Sequence, residues 1–292
     1  MASGPRKGPT GCLVFLHLPK TGGSTLSAAL RHKYGSEVLL LEDTSDPLGG
    51  IADVPESRRR SARVVMGHIH YGVHEHIPQE CRHLTVMREP VARVVSMYRH
   101  ILGHAKHRFH DELVRSQMSL EEFARSAPDA GLDNLQTRMI SGRKPGTTPP
   151  GGDGAWQAPP LDSSDLEEAK RNLDRFLVVG LTERFDESFI LIRRALGWRL
   201  PMYETYNVTR AASAAQREAP TPAAIEAIKE RNRLDLELYS HALALHSAAV
   251  EAQGSSFQRE VAAFRMLNRV PNKIGPRIPA RLRRPLRSLL PR

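Results

Sequence analysis

Between residues 16 and 26 the chain reads LHLPKTGGSTL. Lys20, Gly22, Gly23 and the hydroxyls of Thr21, Ser24 and Thr25 come directly after an apolar run, CLVFLH at 12–17, and lead into a helix-forming stretch at 24–32. A strand–loop–helix unit of this kind can hold an anion. Glycines let a ligand approach the backbone, the first N–H groups of a helix lack intrahelical partners, and the helix dipole adds partial positive charge. Lys20 contributes a full charge, and the three hydroxyls can donate hydrogen bonds. The usual nucleoside-triphosphate loop, GxxxxGK[ST], has its lysine after the glycines. Here the lysine comes first, and no apolar run ending in aspartate supplies a magnesium ligand. ATP-dependent kinase chemistry is therefore the weaker reading. The plain alternative is a Gly-Gly turn beside a solvated lysine.

A second set of residues suits another anionic group. In TVMREPVARVVSMYRHI, residues 85–101, Arg88 follows an apolar strand and Ser96 lies two helical turns on. A guanidinium fork matches phosphate oxygens, and a helical serine adds one hydrogen bond. Arg93 and Arg99 are expected on a solvated face of that helix, with Val91, Val94, Val95 and Tyr98 as its core stripe. A third tract, VVMGHIHYGVHEHI at 64–77, offers histidines, which suit proton transfer near neutral pH. His68 follows a strand and is expected at the same sheet edge as the glycine loop. His70 would share that side if the backbone stays extended. His74 and His76 are expected on a short surface helix, and His17 against the core. A metal site built from these histidines is the minor alternative, since no cysteine or placed carboxylate accompanies them.

Positioning these groups falls to alternating elements. Strands are expected at 12–17, 38–41, 63–67, 83–87 and 176–181, and helices at 24–32, 90–102 and 184–196. Ser119–Glu122 and Ser164–Glu167 have the spacing of capping boxes. Thr221-Pro222 opens a long helix to about residue 250. Residues 142–160, rich in Gly, Pro and Thr, read as a loop. This alternation predicts an α/β fold with a P-loop-like, mainly parallel central sheet flanked by helices and a helical C-terminal part. Residues 1–265 read as a single domain and 266–292 as a basic, proline-containing tail. In such sheets ligands bind beyond the carboxyl ends of the strands.

With these motifs in view, FLHLPKTGGSTL resembles the 5′-phosphosulfate loop of sulfotransferases that use 3′-phosphoadenosine 5′-phosphosulfate (PAPS). It is most similar to the branch holding the heparan-sulfate 2-O-sulfotransferases and bacterial relatives. The stretches LDNLQTRMISG (132–142), FLVVGLTERFDESFILIRRALGW (176–198) and NVTR (207–210) share the resemblance, which spans roughly residues 12–245. It implies that Lys20, Thr21, Gly22, Gly23, Ser24 and Thr25 hold the 5′ end of PAPS, and that Arg88 and Ser96 hold its 3′-phosphate. The family usually has aspartate where this chain has Glu89. By the same resemblance His68 is the base for an acceptor hydroxyl, with His70 as second choice and Lys20 stabilising the leaving charge. Thr182–Arg184 would lie near the adenosine. Asn134, Gln136 and Arg138 would line the cleft or serve the scaffold. PAPS would be a cosubstrate, with no metal required. The acceptor would be a sugar hydroxyl, in a glycan that is already anionic on one reading.

Composition sets the outer limits. The chain has 292 residues, 40% hydrophobic and 25% charged, which is ordinary for a globular protein. Its net charge of +10 and pI near 10.0 favour anionic partners. A non-catalytic protein that binds nucleic acid or an anionic membrane surface is thus a second alternative. Aromatic residues make up only 5%, however, and no stacking platform or recognition helix stands out, so no nucleic acid is expected. Weak membrane-surface contact through the basic tail is a further expectation. Cys12 and Cys81 read as free thiols, without a disulfide framework. No signal peptide and no span of about 18 apolar residues is read from the sequence, so the expected location is cytoplasmic.

Overall fold

The computed structural model describes residues 11–41, 46–126, 133–143, 159–198 and 219–268. Five strands form one sheet: β1 (Cys12–Leu16), β2 (Val38–Leu41), β3 (Val64–Gly67), β4 (Cys81–Met87) and β5 (Val178–Leu181). Their order is β2-β3-β1-β4-β5, and every neighbouring pair is parallel. Along β1, Leu13 and Phe15 enter one hydrophobic cluster, while Cys12, Val14 and Leu16 enter another on the opposite face. All five residues are buried, as expected for a central strand covered on both sides.

One face carries α1 (Gly23–Tyr34), α8 (Phe185–Ala195) and α11 (Ser255–Asn268), through Leu26, Leu30, Phe189, Phe257 and Phe264. The other carries α6 (Leu135–Ser141), α7 (Ser163–Asp174) and α10 (Arg233–Glu251), through Met139, Ile140, Leu166, Leu173, Leu234 and Leu238. A third cluster joins α3 (Pro90–Gly103), α4 (His110–Arg115), α5 (Leu120–Ser126) and α9 (Pro222–Arg231). The short α2 (Glu56–Ser61) precedes β3. The α/β fold with a parallel central sheet and flanking helices is thus as expected. Among the described residues, no helix is long and apolar enough to cross a membrane.

Three expectations are corrected in detail. The helix expected to be capped by Ser164 starts earlier, on Asp162. Asp162 accepts from the Ser164 and Asp165 backbone N–H groups, and Asp165 answers from N3. Two acids thus do what a serine and a glutamate were expected to do.

The long helix after Thr221 breaks at Asn232 into α9 and α10. Asn232 is buried and its side chain donates back to the Ile228 carbonyl at 2.9 Å. The freed N–H groups of Leu234 and Asp235 donate to Asn134 Oδ1 at 2.9 and 3.1 Å. An asparagine 100 residues upstream therefore caps α10.

Arg93, expected on a solvated face, is fully buried. The α9–α10 junction covers it: its Nη2 reaches Asn232 Oδ1 at 3.5 Å, and the buried Asp235 acts on it as countercharge. Ser119 and Glu122 do form the expected reciprocal cap. Residues 144–158 of the Gly/Pro loop, the NVTR stretch and the tail beyond 268 lie outside the described residues.

Candidate functional site

β1 and β4 lie side by side, with Leu16 paired to Thr85. The chain leaving β1 travels to β2 on one side, and the chain leaving β4 travels to β5 on the other. A crevice therefore opens beyond the ends of β1 and β4, where such sheets hold their ligands. Both anion motifs emerge there, the glycine loop from β1 and Arg88 from β4.

The loop is held open by backbone conformation and cross-bracing. Lys20 has φ 68° and Gly22 φ 79°, both in the left-handed region. That region suits Gly22 but is costly for a lysine, and such strain persists only where the surroundings enforce it. Here Arg88 Nη1 donates to the Lys20 carbonyl at 3.0 Å. Thr182 Oγ1, just past β5, shares its proton between the carbonyls of Thr21 and Met87, at 2.6 and 3.0 Å. One hydroxyl thus ties together the ends of β1, β4 and β5.

The start of α1 is bare. No side chain caps it and its first turn holds no acid. By contrast, α3 is capped by Glu89, which accepts from Val91 and Ala92, and α7 is capped by Asp162. The N–H groups that another helix gives to its own carboxylate meet no carboxylate here: Thr25 N–H reaches the Gly22 carbonyl at 3.3 Å, and the others are left for an outside anion. Not every expected donor points outward, and this is a correction. Thr21 is fully buried and its hydroxyl donates to the Leu18 carbonyl at 2.9 Å, so its side chain closes the loop. Ser24 is half-buried and Thr25 is buried in the first turn of α1.

Gly23 is fixed by what lies beneath it. A Cβ there would come within 2.2 Å of His17 Cδ2 and 3.0 Å of Phe15 Cζ. His17 was expected to pack in the core. It does stack on Phe15, with ring centroids 5.4 Å apart, but it is half-buried and its other neighbour is His68 at 4.6 Å. It belongs to the floor of the site. The signal was available: residues 13, 15 and 17 alternate onto the α1 face, and the loop must cross that face. Gly23→Ala is expected to cost roughly 1–3 kcal/mol through overpacking, read as a lowered midpoint in denaturant unfolding. An unchanged midpoint would mean that His17 yields freely.

His68 lies at the end of β3 with one side open to solvent, while its ring is crowded on the other by His17, 4.6 Å away between ring centroids. Its Nδ1–H donates to the His17 carbonyl at 2.6 Å, which leaves the Nε2 lone pair to accept a proton. Burial of the ring by surrounding atoms lowers its pKa below 6.5, the His17 carbonyl opposes this, and the Lys20 charge lowers it further. The same lysine acts on His17, whose pKa burial drives down to about 3. Lys20 itself is lowered from its usual value, first by burial and then by Arg88. These mutual effects group Lys20, Arg88, His17 and His68 at one sheet edge.

His70 is elsewhere. It is buried, its Nδ1–H donates to the Arg143 carbonyl at 3.2 Å, and the charges acting on it are Arg138 and Asp46. The chain after β3 is no longer extended, so the alternation that would have put both histidines on one side fails. His74 and His76 lie on the short helical turn Val73–His76, as expected.

Arg88 is held from behind. Its backbone N–H donates to Gln136 Oε1 at 3.0 Å, and Gln136 Nε2 donates to the Arg88 carbonyl at 2.9 Å. Gln136 is fully buried, and its own N–H donates to Asp235 at 3.1 Å. Asp235 also accepts from the N–H and hydroxyl of Thr137. Asn134 and Gln136 therefore serve as scaffold. Arg138 is buried against Asp133 and the Pro159 carbonyl. In front, Glu183 stands 3.9 Å from Arg88 Nε and accepts from the Glu89 N–H and the Tyr239 hydroxyl. Ser96 is half-buried on α3, one turn before His100 on the same helix face. Burial pushes the His100 pKa down to about 4, with Lys20, His104 and His107 lowering it further.

The arrangement can bind two anionic groups side by side, one at the bare end of α1 with Lys20 and one at Arg88, with an imidazole acceptor nearby. The galactose-3-O-sulfotransferase family model matches residues 2–274. Galactose-3-O-sulfotransferase 3 of Homo sapiens is 27% identical over 245 residues, covering 78% of this chain and 54% of its own length. Its namesake in Bos taurus is also 27% identical over 245 residues, with 55% of its length covered. The chain thus spans about half the length of these curated relatives.

Proposed function

The chain belongs to the galactose-3-O-sulfotransferase family, and from that premise we propose that it moves a sulfuryl group from PAPS to a sugar hydroxyl. The motifs also resemble those of heparan-sulfate 2-O-sulfotransferases and bacterial relatives, a branch that the family match does not point to. The proposed acceptor class follows the family match instead: a galactoside, at its 3-hydroxyl. One observation carries the reading, namely that the Arg88 guanidinium donates to the carbonyl of Lys20 beside an uncapped helix start. Two cationic cradles this close suit one nucleotide with an anionic group at each end.

In this proposal the N–H groups from Gly22 to Thr25 and the Lys20 ammonium hold the 5′ end, while Arg88 and Ser96 hold the 3′-phosphate. His68 Nε2 takes the proton of the acceptor hydroxyl. The new bond is O–S, the bond broken joins sulfur to the bridging oxygen, and adenosine 3′,5′-bisphosphate departs. Lys20 stabilises charge growing on that bridging oxygen. The chain supplies positioning and electrostatic stabilisation, as in phosphoryl transfer.

The test is incubation with PAPS and a panel of galactosides, followed by mass spectrometry. A sulfuryl adduct that forms equally well in chelator is the expected result. Transfer that needs ATP and Mg²⁺, or salt-sensitive DNA binding without transfer, would overturn the reading.

A further inference from the structure

Glu183 is an acid beside an anion site. It follows β5 on the short helical turn Thr182–Arg184. Its carboxylate stands 3.9 Å from Nε of Arg88, the guanidinium that would take a phosphate. An acid so placed repels that phosphate, and it costs affinity unless it serves another group on the ligand. It is not a loose surface side chain. Its Oε1 accepts from the Glu89 N–H at 3.2 Å and its Oε2 from the Tyr239 hydroxyl at 2.8 Å. Glu89 caps α3 and Tyr239 belongs to α10, so the start of one helix and the side of another hold the carboxylate in place.

Arg88 is fixed just as firmly, by the Lys20 carbonyl on Nη1 and by Gln136 on its backbone. Its Nε is buried without a hydrogen-bond partner, since 3.9 Å is an ion-pair separation and too long for a hydrogen bond. The acid therefore orients the guanidinium without consuming its donors. Glu183 also keeps capacity of its own. A carboxylate offers about four lone-pair sites, and the two hydrogen bonds above use one on each oxygen. With 38% of its side chain exposed, Glu183 is open to a donor on a ligand.

We propose that Glu183 accepts a hydrogen bond from the ribose 2′-hydroxyl of the nucleotide whose 3′-phosphate lies on Arg88, and so makes the site specific for a ribonucleotide. The inference rests on the sulfotransferase reading. The chemistry of the ligand matches the pair. PAPS and adenosine 3′,5′-bisphosphate each keep a single free ribose hydroxyl, on the carbon next to the 3′-phosphate. A guanidinium and a carboxylate 3.9 Å apart suit those two neighbouring groups, the first by charge and the second by accepting the hydroxyl proton. In dinucleotide-binding sheets an acid takes a ribose 2′-hydroxyl by the same pairing. A hydrogen bond to a charged acceptor contributes roughly tenfold to a hundredfold in affinity.

The experiment is calorimetric titration of the full chain with adenosine 3′,5′-bisphosphate and with its 2′-deoxy analogue, which needs no turnover. The ribonucleotide should bind about tenfold or more tightly than the deoxy ligand. Glu183→Ala should equalise the two, and Tyr239→Phe, which frees one carboxylate oxygen, should shrink the preference partway. The preference is a ratio taken within each protein, so a loss of folded protein cancels from it. A carboxylate that merely repels the phosphate makes a different forecast: Glu183→Ala would tighten both ligands by one common factor. That result overturns the proposal, as does equal binding of the two ligands by the parent or a preference that survives Glu183→Ala. If neither ligand binds the parent at all, the sulfotransferase reading itself fails.

Discussion

Lys20→Ala is expected to lower turnover about 10²–10³-fold, the usual effect of removing one preorganised donor from developing charge, with the fold intact. Lys20 sits in a left-handed turn, half-buried, and its ammonium is destabilised by burial and by Arg88. The loop is braced through the Lys20 carbonyl and not through its side chain. Alanine keeps that carbonyl, so thermal unfolding of the variant should match or exceed the parent's. A pH profile adds an independent readout. The Lys20 charge lowers the pKa of His68. Without it that pKa rises toward 6.5, and the acid limb of the residual rate moves to higher pH. Full turnover in Lys20→Ala, or an acid limb that does not move, would contradict the assignment.

His68→Ala is expected to cost about 10²–10⁴-fold in kcat, the range for a positioned general base. The His17 carbonyl holds Nδ1–H at 2.6 Å, so Nε2 is the free base in the neutral ring. Burial keeps the pKa below 6.5, so the imidazole is neutral and competent at pH 7. The sign follows directly. As pH falls through that depressed pKa the ring gains a proton and the rate falls, so the parent should show an acid limb below pH 6.5. In His68→Ala that limb should vanish along with most of the rate, while the affinity for adenosine 3′,5′-bisphosphate stays close to the parent's. His70→Ala, whose ring faces Arg143, should leave the limb in place. An acid limb that follows His70 would reverse the two roles.

Much of this arrangement could be read from residue order. The parallel sheet was legible because each strand is a short apolar run followed by a loop and a helical pattern. The glycine loop and Arg88 were legible because each follows such a run. Sequence spacing could not reveal long-range supports. Asn134 caps a helix 100 residues away, and Gln136 grips the backbone of Arg88 from 48 residues away. No local pattern encodes such pairings. The burial of Arg93 is hidden from local sequence for the same reason, because the element that covers it arrives only at Asn232. An extended backbone would put His70 on the side of His68, but the strand ends at Gly67. Thr21 counted as a donor to ligand because its hydroxyl lies in the loop, and only the structure shows it bonded to Leu18.

The central claim is that one nucleotide with anionic groups at both ends bridges Lys20 and Arg88. Calorimetric titration with adenosine 3′,5′-bisphosphate, adenosine 5′-phosphate and adenosine 3′-phosphate tests it most directly. The bisphosphate should bind at least tenfold more tightly than either monophosphate, and Arg88→Ala should erase the advantage that the 3′-phosphate confers while sparing the 5′ end. Equal affinity for all three ligands, or a bisphosphate preference that persists in Arg88→Ala, would contradict it.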